Sequence, residues 1–141
     1  MLRVLVPVDG SSNSLRAVDH LIEKRHWYAD GLEIHLLNVQ HSVQRDVGQF
    51  VGSGAVREFQ HEEGLKALAP ARARLDAAGV PYAFHIGVGH PPETIALYAE
   101  QKKADLIVLG TRARGGVAGL LLGSVATPLV RHTSVPILLL K

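Results

Sequence analysis

The sequence predicts a doubly wound α/β domain, a five-stranded parallel sheet with helices on both faces. Three observations carry this. Short apolar runs rich in valine, isoleucine and leucine recur along the 141 residues, as strands buried on both faces do. Amphipathic stretches of helical period separate them. Glycine, proline and aspartate cluster at the joints. The order reads β-α-β-α-β-α-β-α-β over one domain, residues 1–141, with right-handed crossovers expected.

Each element follows from its residues. Leu2–Val8 is an apolar run stopped by Asp9-Gly10 and is expected as the first strand. Ser11, Ser12 and Ser14 offer cap hydroxyls to a helix that carries Leu15, Val18, Leu21 and Ile22 at helical spacing, up to a break at Asp30-Gly31. Trp27 and Tyr28 near its end are expected in core or rim packing. Leu32–Val39 reads as the second strand. Gln40–Gly54 is polar, contains glycine and has no clear period, which predicts a surface loop or lid.

Ala55–Ala78 is the longest helical pattern, with Phe59, Leu65, Leu68 and Leu75 on one side and Gly79 as its stop. Pro70 inside it predicts a kink or a division into two helices, because proline removes a hydrogen bond and clashes one turn back. Val80–Val88 follows as a strand, and Pro92 is placed to start a helix over Glu93–Lys103. Leu106–Leu109 is the fourth strand. Gly123-Ser124 opens the last helix, with Pro128 near its fourth position, and Val135–Leu140 is the last strand.

Composition excludes several classes of function. There is no cysteine, so disulfides, thiolate metal sites and cysteine nucleophiles are absent and a cytoplasmic setting is expected. Met1 leads straight into an apolar strand without a basic region, unlike a secretory signal. No apolar run approaches the ~18 residues of a membrane span. The net charge of +2 comes from interspersed acids and bases, which predicts no nucleic-acid footprint. Eight histidines are scattered and none forms a His-Glu-x-x-His pair, so they are expected as surface or hydrogen-bonded groups and no metal centre is expected. No Gly-x-Ser-x-Gly elbow occurs, since Gly52-Ser53-Gly54 lies in the predicted loop. No catalytic set is evident.

In sheets of this kind ligands bind beyond the carboxyl ends of strands, where strand order reverses. Two loops at that edge stand out: Pro7-Val8-Asp9-Gly10, and the segment from Gly110 through Gly115, Gly116 and Gly119 to Gly123-Ser124. Strand, glycine-rich loop and helix start is an arrangement in which backbone N–H groups can face a phosphate. With the first and fourth strands adjacent, Asp9 would meet a ribose, an adenine edge or a metal ion, and 110–124 would meet phosphates. The P-loop lysine motif is absent. Phosphate contacts then fall to backbone N–H groups, the Ser124 hydroxyl, Arg112 and Arg114. On glycine content alone, the plainer reading is a tight turn with Ser124 as an ordinary helix cap.

The longer pattern adds to this. Gly110, Thr111-Arg112, Ala113, nine residues and then Gly123-Ser124 resembles the Gly-x2-Gly-x9-Gly-Ser/Thr signature of the ATP-binding branch of the universal stress protein (UspA-like) family. Val125-Ala126, the Ser134-Val135-Pro136 turn, Leu36-Leu37-Asn38-Val39 and the opening Val4-Leu5-Val6-Pro7-Val8-Asp9-Gly10-Ser11 are similar too. Ala113 departs from the signature, standing where it has glycine. If that position needs positive φ, alanine costs about 1 kcal/mol or more.

The resemblance implies a Rossmann-like, adenine nucleotide alpha hydrolase-like sheet of order 3-2-1-4-5. It implies ATP as ligand, accompanied by Mg2+. Pro7, Val8, Asp9 and Val39 would form the adenosine pocket, with Leu109 and Gly110 beside the ribose. Arg112, Ala113, Arg114, Gly123, Ser124, Val125 and Ala126 would surround the triphosphate. It also implies a homodimer through the last strand, Pro136–Leu140, which the residues themselves favour as an apolar edge. The function expected is a nucleotide-dependent stress-response switch acting on an unidentified protein partner, with no nucleic acid or membrane partner. The alternatives are a nucleotide-free dimerisation module and a slow ATPase or autokinase.

Overall fold

Alternation along the central strand divides this protein into two cores. The computed structural model describes residues 1–42, 45–111 and 123–141, with 45–53 as backbone alone. Strand β1 (Leu2–Pro7) lies in the middle of a five-stranded sheet with β2 (Leu32–Gln40), β3 (Tyr82–Val88), β4 (Leu106–Gly110) and β5 (Ile137–Leu140). Successive side chains of a strand point to opposite faces. Val4 and Val6 therefore join Ile34, Leu36 and Val108 on one face, while Leu5, Leu37, Ile107 and Leu109 occupy the other.

Helices α1 (Ser12–Glu23) and α2 (Arg45–Ala78) cover the first face through Leu15, Val18, Leu21, Leu68 and Leu75. Helices α3 (Pro91–Gln101) and α4 (Ala126–His132) cover the second through Ile95, Ala99 and Leu129. Each fully buried leucine or isoleucine contributes about 1.5–3 kcal/mol relative to an exposed one. The strand order is β3-β2-β1-β4-β5, and every pairing is parallel. Strands β1 and β4 are neighbours, as the sequence required of a shared crevice.

Local expectations fare unevenly. Ser11 caps α1, its hydroxyl accepting the Ser14 N–H at 3.3 Å. The helix ends earlier than expected, at Glu23, and a 3-10 turn over Arg25–Trp27 follows. Trp27 is 63 % exposed and Phe59 is 59 % exposed, so neither packs in the core. Trp27 instead meets Lys24, whose Nζ lies 5.0 Å from the ring centre, and the edge of His20.

The loop expected over 40–54 is largely helical. Strand β2 includes Gln40, and α2 already begins at Arg45. A helix anchored by Leu68, Ala71 and Leu75 adds one hydrogen bond per residue as it extends, so its outer turns need no apolar stripe. Pro70 neither divides it nor ends it, for α2 runs on to Ala78. Pro70 is exposed, on the solvent side where the carbonyl it leaves unpaired is hydrated at least cost.

Two histidines expected as hydrogen-bonded groups are so. His35 Nδ1 and His85 Nε2 lie 2.9 Å apart across β2 and β3, and His35 Nε2 lies 2.9 Å from the Glu33 carboxylate. Ring centres 5.2 Å apart show that these two imidazoles meet nitrogen to nitrogen rather than face to face. No helix among the described residues is long and apolar enough to cross a membrane.

Candidate functional site

The carboxyl ends of β1, β2 and β4 open on one cavity of about 450 Å3. Its first wall is the β1–α1 turn. Gly10 makes this turn at φ +85°, a conformation side chains rarely adopt, beside the Ala67 backbone of α2. Asp9 is exposed; its carboxylate accepts the Ser11 N–H at 2.9 Å, and its own N–H reaches Ser14 Oγ at 3.4 Å. Ser14 Oγ in turn donates to the Ser11 carbonyl at 2.9 Å. The turn is thus held by its own polar side chains.

The second wall is the end of β2. Asn38 is buried, donating through Nδ2 to the Val8 carbonyl at 2.8 Å and accepting the Gln40 amide at 2.7 Å. It ties β1 to β2 at the cavity floor and leaves the Val39 backbone at the rim. Beyond it, the Gly89 N–H donates to the Gln40 carbonyl at 2.9 Å and joins the end of β3 to the same wall. His41, His90, Pro91, Pro92 and Ile95 complete this end.

The third wall is Leu109 and Gly110 with the Gly123–Ala126 turn. Gly110 has little room, since a Cβ there would fall 1.6 Å from the Asn13 carbonyl oxygen. Its glycine is dictated by contact with α1. Gly123 is different, with φ +99° and nothing within 4 Å of a built Cβ. Thr111 closes the wall, its N–H and Oγ1 both donating to the Leu140 carbonyl at 2.8 and 3.1 Å.

Every described residue that the sequence singled out lines this cavity: Pro7, Val8, Asp9, Val39, Leu109, Gly110, Gly123, Ser124, Val125 and Ala126. Arg112, Ala113 and Arg114 lie outside the described residues. On glycine content alone the plainer reading made Ser124 a cap of the last helix, and Ser124 does not cap it. The helix starts at Ala126, with Val125 in the cap position and no side-chain cap bond. The Ser124 hydroxyl is therefore not committed to that helix end. Asn13, Ser14, Asn38, His41 and His90 were missed. They sit in the first turn of α1, near the end of β2, and just after β2 and β3.

The cavity has two chemically different ends. At the α3 end the first two helical positions are Pro91 and Pro92, which have no N–H to offer an anion. Val39, Ile95 and the two prolines give that end apolar surface suited to a flat ring. A carboxylate, Asp9, stands at the α1 end and opposes a phosphate there. The Gly123-Ser124 side carries unhindered backbone and a hydroxyl. Among the described lining residues there is no lysine or arginine, and Asp9 is the one carboxylate. No cluster of three metal-ligating side chains occurs among the described residues. A ligand with a planar base, a central hydroxylated part near Asp9 and an anionic tail matches this layout.

Comparison with known proteins shows the family and matches the fold. The profile of the universal stress protein family matches residues 1–141. The universal stress protein MJ0531 of Methanocaldococcus jannaschii is 34 % identical over 146 residues, which cover 99 % of this chain and 81 % of that protein. The structure of protein MJ0577 superposes with a TM-score of 0.77 at 25 % identity, over 99 % of this chain and 94 % of the other. A universal stress protein crystallised in complex with cAMP gives a TM-score of 0.73 at 27 % identity, over 99 % and 97 % of the two chains.

Proposed function

The chain belongs to the universal stress protein family, and from that premise we propose that its cavity binds an adenine nucleotide and that the protein acts as a nucleotide-dependent regulatory module. One observation supports this above the others. Pro7–Asp9, Val39, Leu109–Gly110 and Gly123–Ala126 come from four separate parts of the chain and line one cavity at the point where strand order reverses. The relative crystallised with cAMP carries its ligand in the same fold. Base toward Val39 and α3, ribose beside Asp9 and Gly110, and phosphates toward Gly123-Ser124 is the orientation that suits the donors present.

ATP accompanied by Mg2+ belongs to this proposal. Asp9 is the described carboxylate that would stand nearest such an ion, and the residues outside the description, Arg112 and Arg114, would supply cationic contacts. Homodimerisation through β5 belongs to it as well. Ile137, Leu138, Leu139 and Leu140 form an edge strand whose residues are all only half-buried, the kind of edge that soluble proteins cover by pairing. A cytoplasmic setting belongs to the same proposal, and the cysteine-free sequence is in keeping with a reducing compartment.

The test is calorimetric titration with AMP, ATP and Mg-ATP, run beside sedimentation of the free and liganded protein. Micromolar to millimolar binding with a change in dimerisation or in partner capture supports the switch. No heat and no thermal stabilisation at millimolar nucleotide would leave a nucleotide-free module.

A further inference from the structure

Away from the cavity, a chain of polar side chains crosses three strands on the sheet face that α3 and α4 cover. Register and side-chain alternation place Arg3 of β1, Glu33 and His35 of β2 and His85 of β3 on the same face as Leu5 and Leu37. Arg3 Nε lies 3.0 Å from the Glu33 carboxylate, and the same carboxylate oxygen lies 2.9 Å from His35 Nε2. His35 Nδ1 then meets His85 Nε2 at 2.9 Å. Neither histidine lines the cavity. The tautomers follow from this chain. An ionised Glu33 only accepts, so His35 Nε2 carries a proton, and in the neutral ring Nδ1 holds a lone pair aimed at His85. Ring planes 14° apart and centres separated by 5.2 Å set the two imidazoles end to end. Burial, then the charges of Lys102 and His35, hold His85 below its ordinary value and so keep its ring neutral.

We propose that His35 Nδ1 and His85 Nε2 form a two-histidine site for a nitrogen-preferring divalent cation such as Zn2+, with water completing its coordination. Imidazole suits zinc and copper, whereas magnesium prefers oxygen. Zinc–nitrogen bonds of about 2.0–2.1 Å at a tetrahedral angle hold two ligand nitrogens about 3.3 Å apart. The pair stands at 2.9 Å, so the rings need to part by only about 0.4 Å to admit the ion. The ion takes the place of the proton between the rings, and His85 stays neutral by carrying a proton on Nδ1 instead. Glu33 supplies the outer carboxylate that orients a metal-binding histidine through its other nitrogen. Its negative charge also offsets the opposing charge of Lys102. Ala83, the register partner of His35, is small and exposed, which gives water access beside the two rings.

The experiment is calorimetry of the full, untagged chain at pH 7.5 with Zn2+ and with Mg2+, on the parent and on His35→Ala, His85→Ala, the double variant and Glu33→Gln. One equivalent of Zn2+ is expected to bind the parent at micromolar concentration, and Mg2+ is not. Glu33→Gln keeps an acceptor for His35 but loses the charge, and is expected to weaken Zn2+ by about tenfold. Loss of either ring costs at least as much, and the double variant loses the equivalent altogether. His61→Ala, which removes an exposed histidine of α2, leaves binding unchanged. A second measurement needs no variant: in the parent, Zn2+ should shift the imidazole nitrogen resonances of His35 and His85 and leave those of the other histidines in place. No binding at millimolar Zn2+, an unaltered double variant, or nitrogen shifts confined to other histidines overturns the assignment.

Discussion

Gly110 and Asn13 meet backbone to backbone: a methyl group on Gly110 would lie 1.6 Å from the Asn13 carbonyl oxygen. Neither partner is a flexible side chain, so α1 and β4 cannot yield without moving the turn that carries Asp9. Gly110→Ala is therefore expected to cost about 3 kcal/mol or more, at the upper end of overpacking penalties. Gly123→Ala meets no atom and carries only backbone strain at φ +99°, about 1–2 kcal/mol. Urea unfolding separates the two. A Gly110 variant no worse than the Gly123 variant contradicts the packing described.

Asn38 is a second sensitive point. Asn38→Ala strands the Val8 carbonyl and the Gln40 amide in a buried place, at an expected cost of about 2–3 kcal/mol. Asn38→Asp is predicted to be worse at neutral pH, because a carboxylate would face the Val8 carbonyl that now accepts 2.8 Å from it. Its deficit shrinks on acidification as the carboxyl gains a proton. Denaturation midpoints at two pH values give the sign directly.

Acid should weaken the native protein through two imidazoles. Burial, helped by Lys24, holds His20 below its ordinary value of 6.5, against an opposing pull from Glu23. Burial, then Lys102 and His35, lowers His85 in the same way. The unfolded chain binds these protons more readily, so this contribution is intact above about pH 6.5 and is lost as pH falls through the lowered folded values. Thermal melts from pH 8 to 5 are expected to show falling stability, and His85→Gln should flatten part of the slope. An identical slope in that variant would remove His85 from the account.

Asp9 has two tasks that substitution can separate. Asp9→Asn keeps an oxygen for the Ser11 N–H and is expected to fold normally while losing about tenfold in nucleotide affinity, the worth of one charge-assisted bond. Asp9→Ala gives up the turn contact as well and should lose about 1 kcal/mol of stability. If both variants bind as tightly as the parent, the carboxylate does not touch the ligand.

Ala113→Gly addresses the departure from the family signature. Should that position require positive φ, glycine relieves about 1 kcal/mol of strain and nucleotide affinity rises by about fivefold. No gain at all means that the methyl group is accommodated. Competition calorimetry with ATP decides.

Much of this frame was legible in the chain. The valine- and leucine-rich runs placed all five strands within a few residues of where they lie, because buried parallel strands leave an unbroken apolar mark. Arg45 as a helix start was not legible, since an exposed helical extension leaves no periodic stripe. Phe59 misled for the converse reason, as a large apolar side chain on one helix face need not have a neighbour to cover it. In the site, glycines and Asp9 announced themselves by type. His41 and His90 did not, because only the strand order β3-β2-β1 sets the ends of β2 and β3 side by side at the cavity. The reason for Gly110 was hidden too. Its contact is with a residue 97 positions away in sequence (110 − 13), and nothing local records it.

Pro91 and Pro92 have a consequence for how this cavity can change. A helix start that lacks its first two N–H groups offers less to an anion, so in the proposed orientation the phosphates have the Gly123-Ser124 end and the base the α3 end. Replacing both prolines would restore those donors without touching the sheet. The same scaffold would then hold a charge at each end, and a ligand phosphorylated on both sides would become its natural guest. In the proposed orientation, two ring closures at α3 and the Asp9 carboxylate at α1 together give the site one polarity.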